Sequence, residues 1–303
     1  NKELAAYKHK TEIIDLVDTL KASVVGGETG SGKSTQVTKF LYEAGYEKIY
    51  VLVPRRVIAN NLYERLREEM AEHLSEEELN DAIGVQHGER HEANEKNRIV
   101  IMTPNSFLRS GNDIAKEHGD KKVAIIADEM HEANVYTEIA AGIGLQSVEE
   151  HPDWRFVAMS ATHNEDALRK PLKKVNGIED SNSLIPSVTI EGRPYTITHH
   201  ERPENSAWEV YARECQEDKT SMIFTSGKAE IDHIIEKTRA QLDRESPGGS
   251  RNVVFRKLHS ELTERELAHI SDPVPEGMRL VIVATPAGMS GITIPGLTCV
   301  ISD

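Results

Sequence analysis

Gly27-Glu28-Thr29-Gly30-Ser31-Gly32-Lys33-Ser34-Thr35 has the spacing G-x-x-x-x-G-K-S and decides how the rest of the chain is read. Ala22-Ser23-Val24-Val25 before it reads as a short buried strand. Thr35 to Ala44 after it reads as a helix that stops at Gly45. Strand, glycine-rich loop and helix together make a phosphate cradle. Glycines let backbone N–H groups converge on phosphate oxygens, and the helix N-terminus adds its positive dipole end. Lys33 can reach the β- and γ-phosphates, and the Ser34 hydroxyl can hold Mg²⁺. The stretch predicts a site for a nucleoside triphosphate.

Outward from the loop, short apolar runs alternate with helical patterns. Ile49–Val53, Arg98–Met102, Val123–Ala127 and Phe156–Met159 read as strands. Val123-Ala124-Ile125-Ile126-Ala127 is wholly apolar, as a strand covered on both faces must be. The alternation predicts βαβ units and a parallel sheet flanked by helices. In such sheets ligands bind at the carboxyl ends of the strands. Lys33, Asp128 and Ser160 all follow strands. Asp128 after its apolar run is placed to hold Mg²⁺, and Glu129 to orient or deprotonate an attacking water. The acidic run Glu68 to Asp81 reads as a solvated helical face or connector.

Between Pro171 and Pro203 turn formers accumulate, and a domain boundary is expected at 186, giving domains 1–186 and 187–303. A second alternating series follows. Its strands are expected at Ser221–Phe224, Val253–Arg256, Leu280–Ala284 and Thr298–Ile301, and its helices at Ala207–Glu217, Lys228–Leu242 and Thr263–Ile270.

The chain has 303 residues, 38% hydrophobic and 28% charged, as a globular protein of two ordinary domains would. No apolar run is long enough to span a bilayer, and no secretory h-region opens the chain. An intracellular location, cytoplasmic or nuclear, is expected, with no membrane partner. Cys215 and Cys299 lie far apart without a C-x-x-C, so neither a disulfide framework nor a zinc knuckle is indicated. His199-His200 is expected at the surface. The net charge of −14 argues against a nucleic-acid binder over its whole surface, but a local groove can still be basic.

With these residues in view, the chain resembles the superfamily 2 helicases of the DEAH/RNA helicase A type over nearly its whole length. Gly26 to Gln36 resembles motif I, Pro54-Arg55-Arg56-Val57-Ile58-Ala59 motif Ia, and Thr103-Pro104 motif Ib. Asp128-Glu129-Met130-His131 resembles motif II, with Met130 where the family usually has Ala. Ser160-Ala161-Thr162 resembles motif III, Phe224-Thr225-Ser226-Gly227 motif IV, and Val283 through Gly296 motif V. The resemblance implies two RecA-like domains of α/β class, the second incomplete, that hydrolyse ATP with Mg²⁺ to move along and unwind RNA from a 3′ overhang. It implies that Gly27 to Thr35 hold the nucleotide, with Arg65 stacking on its base. His131, Ser160 and Thr162 would couple the site to the domain interface. Arg55, Arg56 and Thr103 would grip the nucleic-acid backbone from the first domain, and Ser226, Gly227, Ser260 and Thr285 from the second.

Departures stand at Ser271, near the family's second-domain aromatic. Pro286, Met289 and Pro295 replace the usual Asn, Glu and Asp of motif V. The missing initiator Met and an end at Asp303, before any motif VI, suggest a piece of a longer protein with further C-terminal domains. Single-stranded or partly duplex RNA is the expected partner, with DNA also open. Other nucleoside triphosphates remain open too. The rival readings are a double-stranded DNA translocase and a nucleic-acid-binding scaffold that has lost turnover.

Overall fold

Eight strands of the first alternating series line up in the order β4-β3-β5-β2-β6-β7-β1-β8 among the described residues. In this computed structural model those residues are 5–28, 30–129, 134–160, 166–180, 183, 185–191, 197–202, 204–263, 266–267, 269–270, 272–289, 292 and 294–302. The strands are β1 Ala22–Gly27, β2 Lys48–Leu52, β3 Ile83–His87, β4 Arg90–His91, β5 Ile99–Met102, β6 Val123–Ala127, β7 Trp154–Ser160 and β8 Ser187–Ile190. All neighbours run parallel except β4, which turns back against β3.

Successive side chains of a strand point to opposite faces, and each face must be covered. Thus Ala124 and Ile126 of β6 join one apolar cluster, while Val123, Ile125 and Ala127 join the other. Among the helices, α1 is Ala5–Lys8, α2 Lys10–Thr19, α3 Lys33–Glu43, α4 Arg56–Met70, α5 Glu76–Ala82, α6 Pro104–His118 and α7 Val135–Glu150. The first face is covered by α2, α3 and α4 through Ile13, Val17, Phe40, Leu41, Leu62 and Leu66. The second face is covered by α6 and α7 through Phe107, Ile114, Leu145 and Val148. Each such side chain contributes about 1.5–3 kcal/mol on burial. Another helix, α8, spans Asp166–Val175.

The chain divides into two compact units, Asn1–Thr196 and Ile197–Asp303. The boundary expected at 186 therefore moves. Ser187–Ile190 pairs with β1, in the register Val24 to Ser187 through Gly27 to Ile190, so these residues belong to the first unit. Their alternation is only four residues long and sits among turn formers, which hid the strand. The second unit has its own parallel sheet, β10-β11-β9-β12, with β9 Thr220–Phe224, β10 Val253–Leu258, β11 Arg279–Ala284 and β12 Leu297–Ser302. Its helices include α9 Ala207–Glu214 and α10 Lys228–Glu245. The faces of β11 alternate between two clusters, Val281 and Val283 in one and Leu280, Ile282 and Ala284 in the other. The helix expected at Thr263–Ile270 falls partly outside the described residues, as do Thr29, His131 and Thr162 among the predicted site residues.

Candidate functional site: a nucleotide cradle and a row of strand ends

The loop leaves β1 at Gly27. A Cβ at that position would lie 2.9 Å from the Ile190 carbonyl oxygen of β8, so no side chain fits. Gly32, the N-cap of α3, sits at φ 85°, the left-handed region that glycine enters without a Cβ penalty. Lys33 then opens the helix. Its Nζ donates to the Gly27 carbonyl at 2.5 Å and the Glu28 carbonyl at 3.0 Å. Only 5% of Lys33 is exposed. Burial pushes its ammonium below the usual lysine value, and the carboxylates of Asp128, Glu129 and Glu28 oppose that shift. Ser34 is half-buried, while Ser31 is buried and its Oγ has no hydrogen-bond partner among the described residues.

In the sheet, β6, β7 and β1 are consecutive neighbours. Asp128 follows β6, Ser160 ends β7 opposite Gly26 of β1, and the loop follows β1. The three strand ends thus lie side by side at one edge. Asp128 is 1% exposed, and its Oδ1 accepts the Glu129 N–H at 2.9 Å. Glu129 holds φ at 55°. A non-glycine residue there costs about 1–3 kcal/mol and is kept only where the surroundings over-determine it. The strained residue is the carboxylate that the sequence assigns to the water.

The row extends to β2 and β5. Arg55 is the N-cap of α4, just past β2, and is exposed. Thr103 is the N-cap of α6, just past β5, and shares a 3.1 Å hydrogen bond with Ser106 Oγ. At about 4.8 Å per strand, Thr103 lies roughly 19 Å from the cradle along the sheet edge. Arg56 sits at the same end, but its guanidinium is ion-paired with Glu89.

Arg65 projects from α4 with 54% of its side chain exposed, and its Nε donates to Glu69 Oε1 at 3.2 Å. Glu69 Oε2 accepts from Gln36 at 2.7 Å and Lys39 at 3.1 Å, both on the cradle helix α3. Glu69 is therefore a buried junction between the cradle helix and Arg65, although it stands inside the acidic run read as solvated. The rest of that reading holds for α5, an exposed helix begun by a Ser75–Glu78 capping box. The recurrence of Arg65 and Glu69 at i, i+4 was the available signal.

In the second unit, Ser226 and Gly227 follow β9, Ser260 lies in the turn after β10, and Thr285 follows β11. These strands are neighbours, so the four residues also share one sheet edge. Ser226 Oγ and Thr225 Oγ1 each donate to Glu230 Oε2 at 2.7 Å. His199 and His200 are exposed, as expected. No helix among the described residues is long and apolar enough to cross a membrane.

Comparison with known proteins follows the same division. Residues 4–165 match the family described as type III restriction enzyme, res subunit. Residues 206–302 match the helicase conserved C-terminal domain. ATP-dependent RNA helicase DHX33 of Mus musculus is 25% identical over 99% of this chain and 43% of its own length. The probable ATP-dependent RNA helicase DHX35 homolog of Caenorhabditis elegans is 27% identical over 98% of this chain and 41% of its own. This chain thus spans about two-fifths of the length of those relatives. The fold is that of the Escherichia coli DEAH/RHA helicase HrpB, with a TM-score of 0.73 at 24% identity over 99% of this chain and 37% of that one. With residues 4–165 matched by the first family and residues 206–302 by the helicase conserved C-terminal domain, in the order its motifs predict, the chain belongs to the type III restriction enzyme res-subunit family and carries a superfamily 2 DExH helicase core.

Proposed function

We propose that this chain is the core of an ATP-driven RNA helicase that hydrolyses the nucleotide on its first unit. The observation that carries this reading is the alignment of Lys33, Asp128, Glu129 and Ser160 on three adjacent strand ends, with two of the charges almost wholly buried. Buried charges are costly and cluster where chemistry uses them. The cradle fits a triphosphate. Its glycines give the backbone freedom a phosphate-binding loop needs, and the buried Ser31 hydroxyl has no partner among the described residues, so a phosphate oxygen would supply one.

Lys33 would exchange its loop carbonyls for phosphate oxygens, where its charge counters the negative charge on the transferring group. Ser34 and Asp128 would hold Mg²⁺, which supplies charge neutralisation at the phosphates when bound. Glu129 would orient the attacking water and take its proton. Ser160, beside the cradle on β7, would sense the state of the site together with His131 and Thr162. Arg65, steadied by Glu69, would lie against the base. Arg55, Arg56 and Thr103, with Ser226, Gly227, Ser260 and Thr285, would contact phosphates and sugars, so binding would be largely independent of sequence. For Arg56 and Ser226 this means giving up Glu89 and Glu230 to the nucleic acid.

The test is ATP hydrolysis with single-stranded RNA, single-stranded DNA or duplex DNA added. Hydrolysis that rises with RNA and vanishes in Lys33→Ala supports the reading. A rise with duplex DNA alone would identify a translocase instead. Nucleotide binding without hydrolysis under every condition would identify a scaffold.

A further inference from the structure

Cys215 and Cys299, far apart in the chain, meet in the second unit. Cys215 is the C-cap of α9 and 6% exposed. The chain turns there, with the Asp218 N–H donating to the Cys215 carbonyl at 3.4 Å, and then enters β9. β12 lies beside β9 and sets Cys299 opposite Ser221. One ligand atom from each of Cys215, Asp218 and Cys299 lies within 4.8 Å of the others.

Two further groups border this cluster. Ser221 and Tyr211 are 0% exposed, and the Tyr211 Oη has no hydrogen-bond partner among the described residues. Ser221 sits against Cys299. The Tyr211 hydroxyl lies within the electrostatic reach of both thiols and Asp218, and burial pushes it up to about 12. A buried hydroxyl without a partner costs about 1–3 kcal/mol, so the Tyr211 hydroxyl is a donor left unused in the field of the thiol pair.

We propose that Cys215, Asp218 and Cys299 form a binding site for a soft divalent cation, Zn²⁺ by its donor set. Two thiolates and a carboxylate suit zinc, whereas magnesium and calcium take oxygens alone. Cys215 and Asp218 enclose a turn as the paired ligands of a zinc knuckle do, and the remote strand β12 brings the third ligand. In a tetrahedral site with Zn–S of about 2.3 Å, neighbouring sulfurs stand about 3.8 Å apart. The Ser221 hydroxyl or a water completes the fourth position. The bound cation would tie the end of α9 to β12, the edge strand of its sheet, and so stabilise the second unit by mass action.

The experiment uses the whole chain, reduced and stripped with chelator, then titrated with Co²⁺ and afterwards with Zn²⁺. Expected are one Co²⁺ per chain with a thiolate-to-metal charge-transfer band, its displacement by Zn²⁺, protection of both cysteines from alkylation, and a rise in Tm. Cys299→Ser abolishes the band, and Asp218→Asn weakens the binding. Cys215 is buried and its replacement risks unfolding, so the half-exposed Cys299 and the alkylation of the native chain carry the decision. No charge-transfer band in the reduced protein overturns the site. So does equal Zn²⁺ uptake by Cys299→Ser, or a Cys215–Cys299 disulfide that forms in air with Zn²⁺ present.

Discussion

The carboxyl edge of the eight-stranded sheet and that of the four-stranded sheet share a backbone plan but not a chemistry. Both set the first residues after parallel neighbouring strands in a row. On the first, two charges are buried, Lys33 at 5% exposed and Asp128 at 1%, beside the hydroxyls of Ser31 and Ser160. On the second, hydroxyls are buried: Thr225 at 3% and Thr285 at 8%. There the carboxylate of Glu230 is satisfied by Thr225 and Ser226, whose hydrogen bonds hold it below the usual carboxylate range. Lys228 beside it is ion-paired with Glu261. The difference teaches that a parallel sheet supplies places, and that buried charge marks which places do chemistry. On the proposed function, the first edge would act on a phosphate, and the neutral donors of the second would grip a nucleic-acid backbone.

The largest effect that would break this contrast lies at Glu129. Glu129→Gln should lower turnover roughly 10²–10⁴-fold while nucleotide binding persists. Unimpaired hydrolysis would remove Glu129 from the reaction and leave its strained backbone without a function. A smaller effect separates charge from hydroxyl among the proposed nucleic-acid contacts. Arg55→Ala should reduce the slope of log affinity against log salt by about one. Thr285→Ala should leave that slope alone and weaken RNA binding about three- to tenfold, as loss of one neutral hydrogen bond does. Equal slopes in both variants would erase the distinction between the two edges.

Within the first unit, Glu69→Gln should raise KM for ATP about three- to tenfold with kcat retained, and leave the KM for inorganic tripolyphosphate unchanged. If Arg65→Ala raises KM for ATP and Glu69→Gln does not, the junction is only structural. If neither does, Arg65 does not touch the base. The smallest effect is at Ser31. Ser31→Ala removes a buried hydroxyl without a partner among the described residues, so it should stabilise the chain by up to about 1 kcal/mol in denaturant unfolding. The same variant should bind nucleotide less tightly. Lower stability would show that the hydroxyl serves the fold.

Much of the fold was legible because its signals are local. Val123–Ala127 declared itself a buried central strand by having no polar residue, and the structure buries all five. Strands β3 and β8 were missed. Ile83-Gly84-Val85-Gln86-His87 mixes glycine and polar residues, and Ser187-Val188-Thr189-Ile190 is too short to show a period. Glu69 was missed for a different reason. An acidic residue among acidic residues looks solvated until a neighbouring helix brings Gln36 and Lys39 to it.

The sequence by itself determined the cradle, because strand, glycines, lysine and helix are consecutive and their geometry depends on backbone freedom and local hydrogen bonding. It also determined that Asp128 follows a strand and that Ser160 lies at the end of one. Only the tertiary structure decided that β6, β7 and β1 stand in consecutive order, that Ile190 walls the loop, that Glu69 joins α3 to Arg65, and that Cys215 meets Cys299. Apolar periodicity says which face of an element is buried but not what it is buried against. Strand order and helix packing settle that partner through contacts distant in the chain.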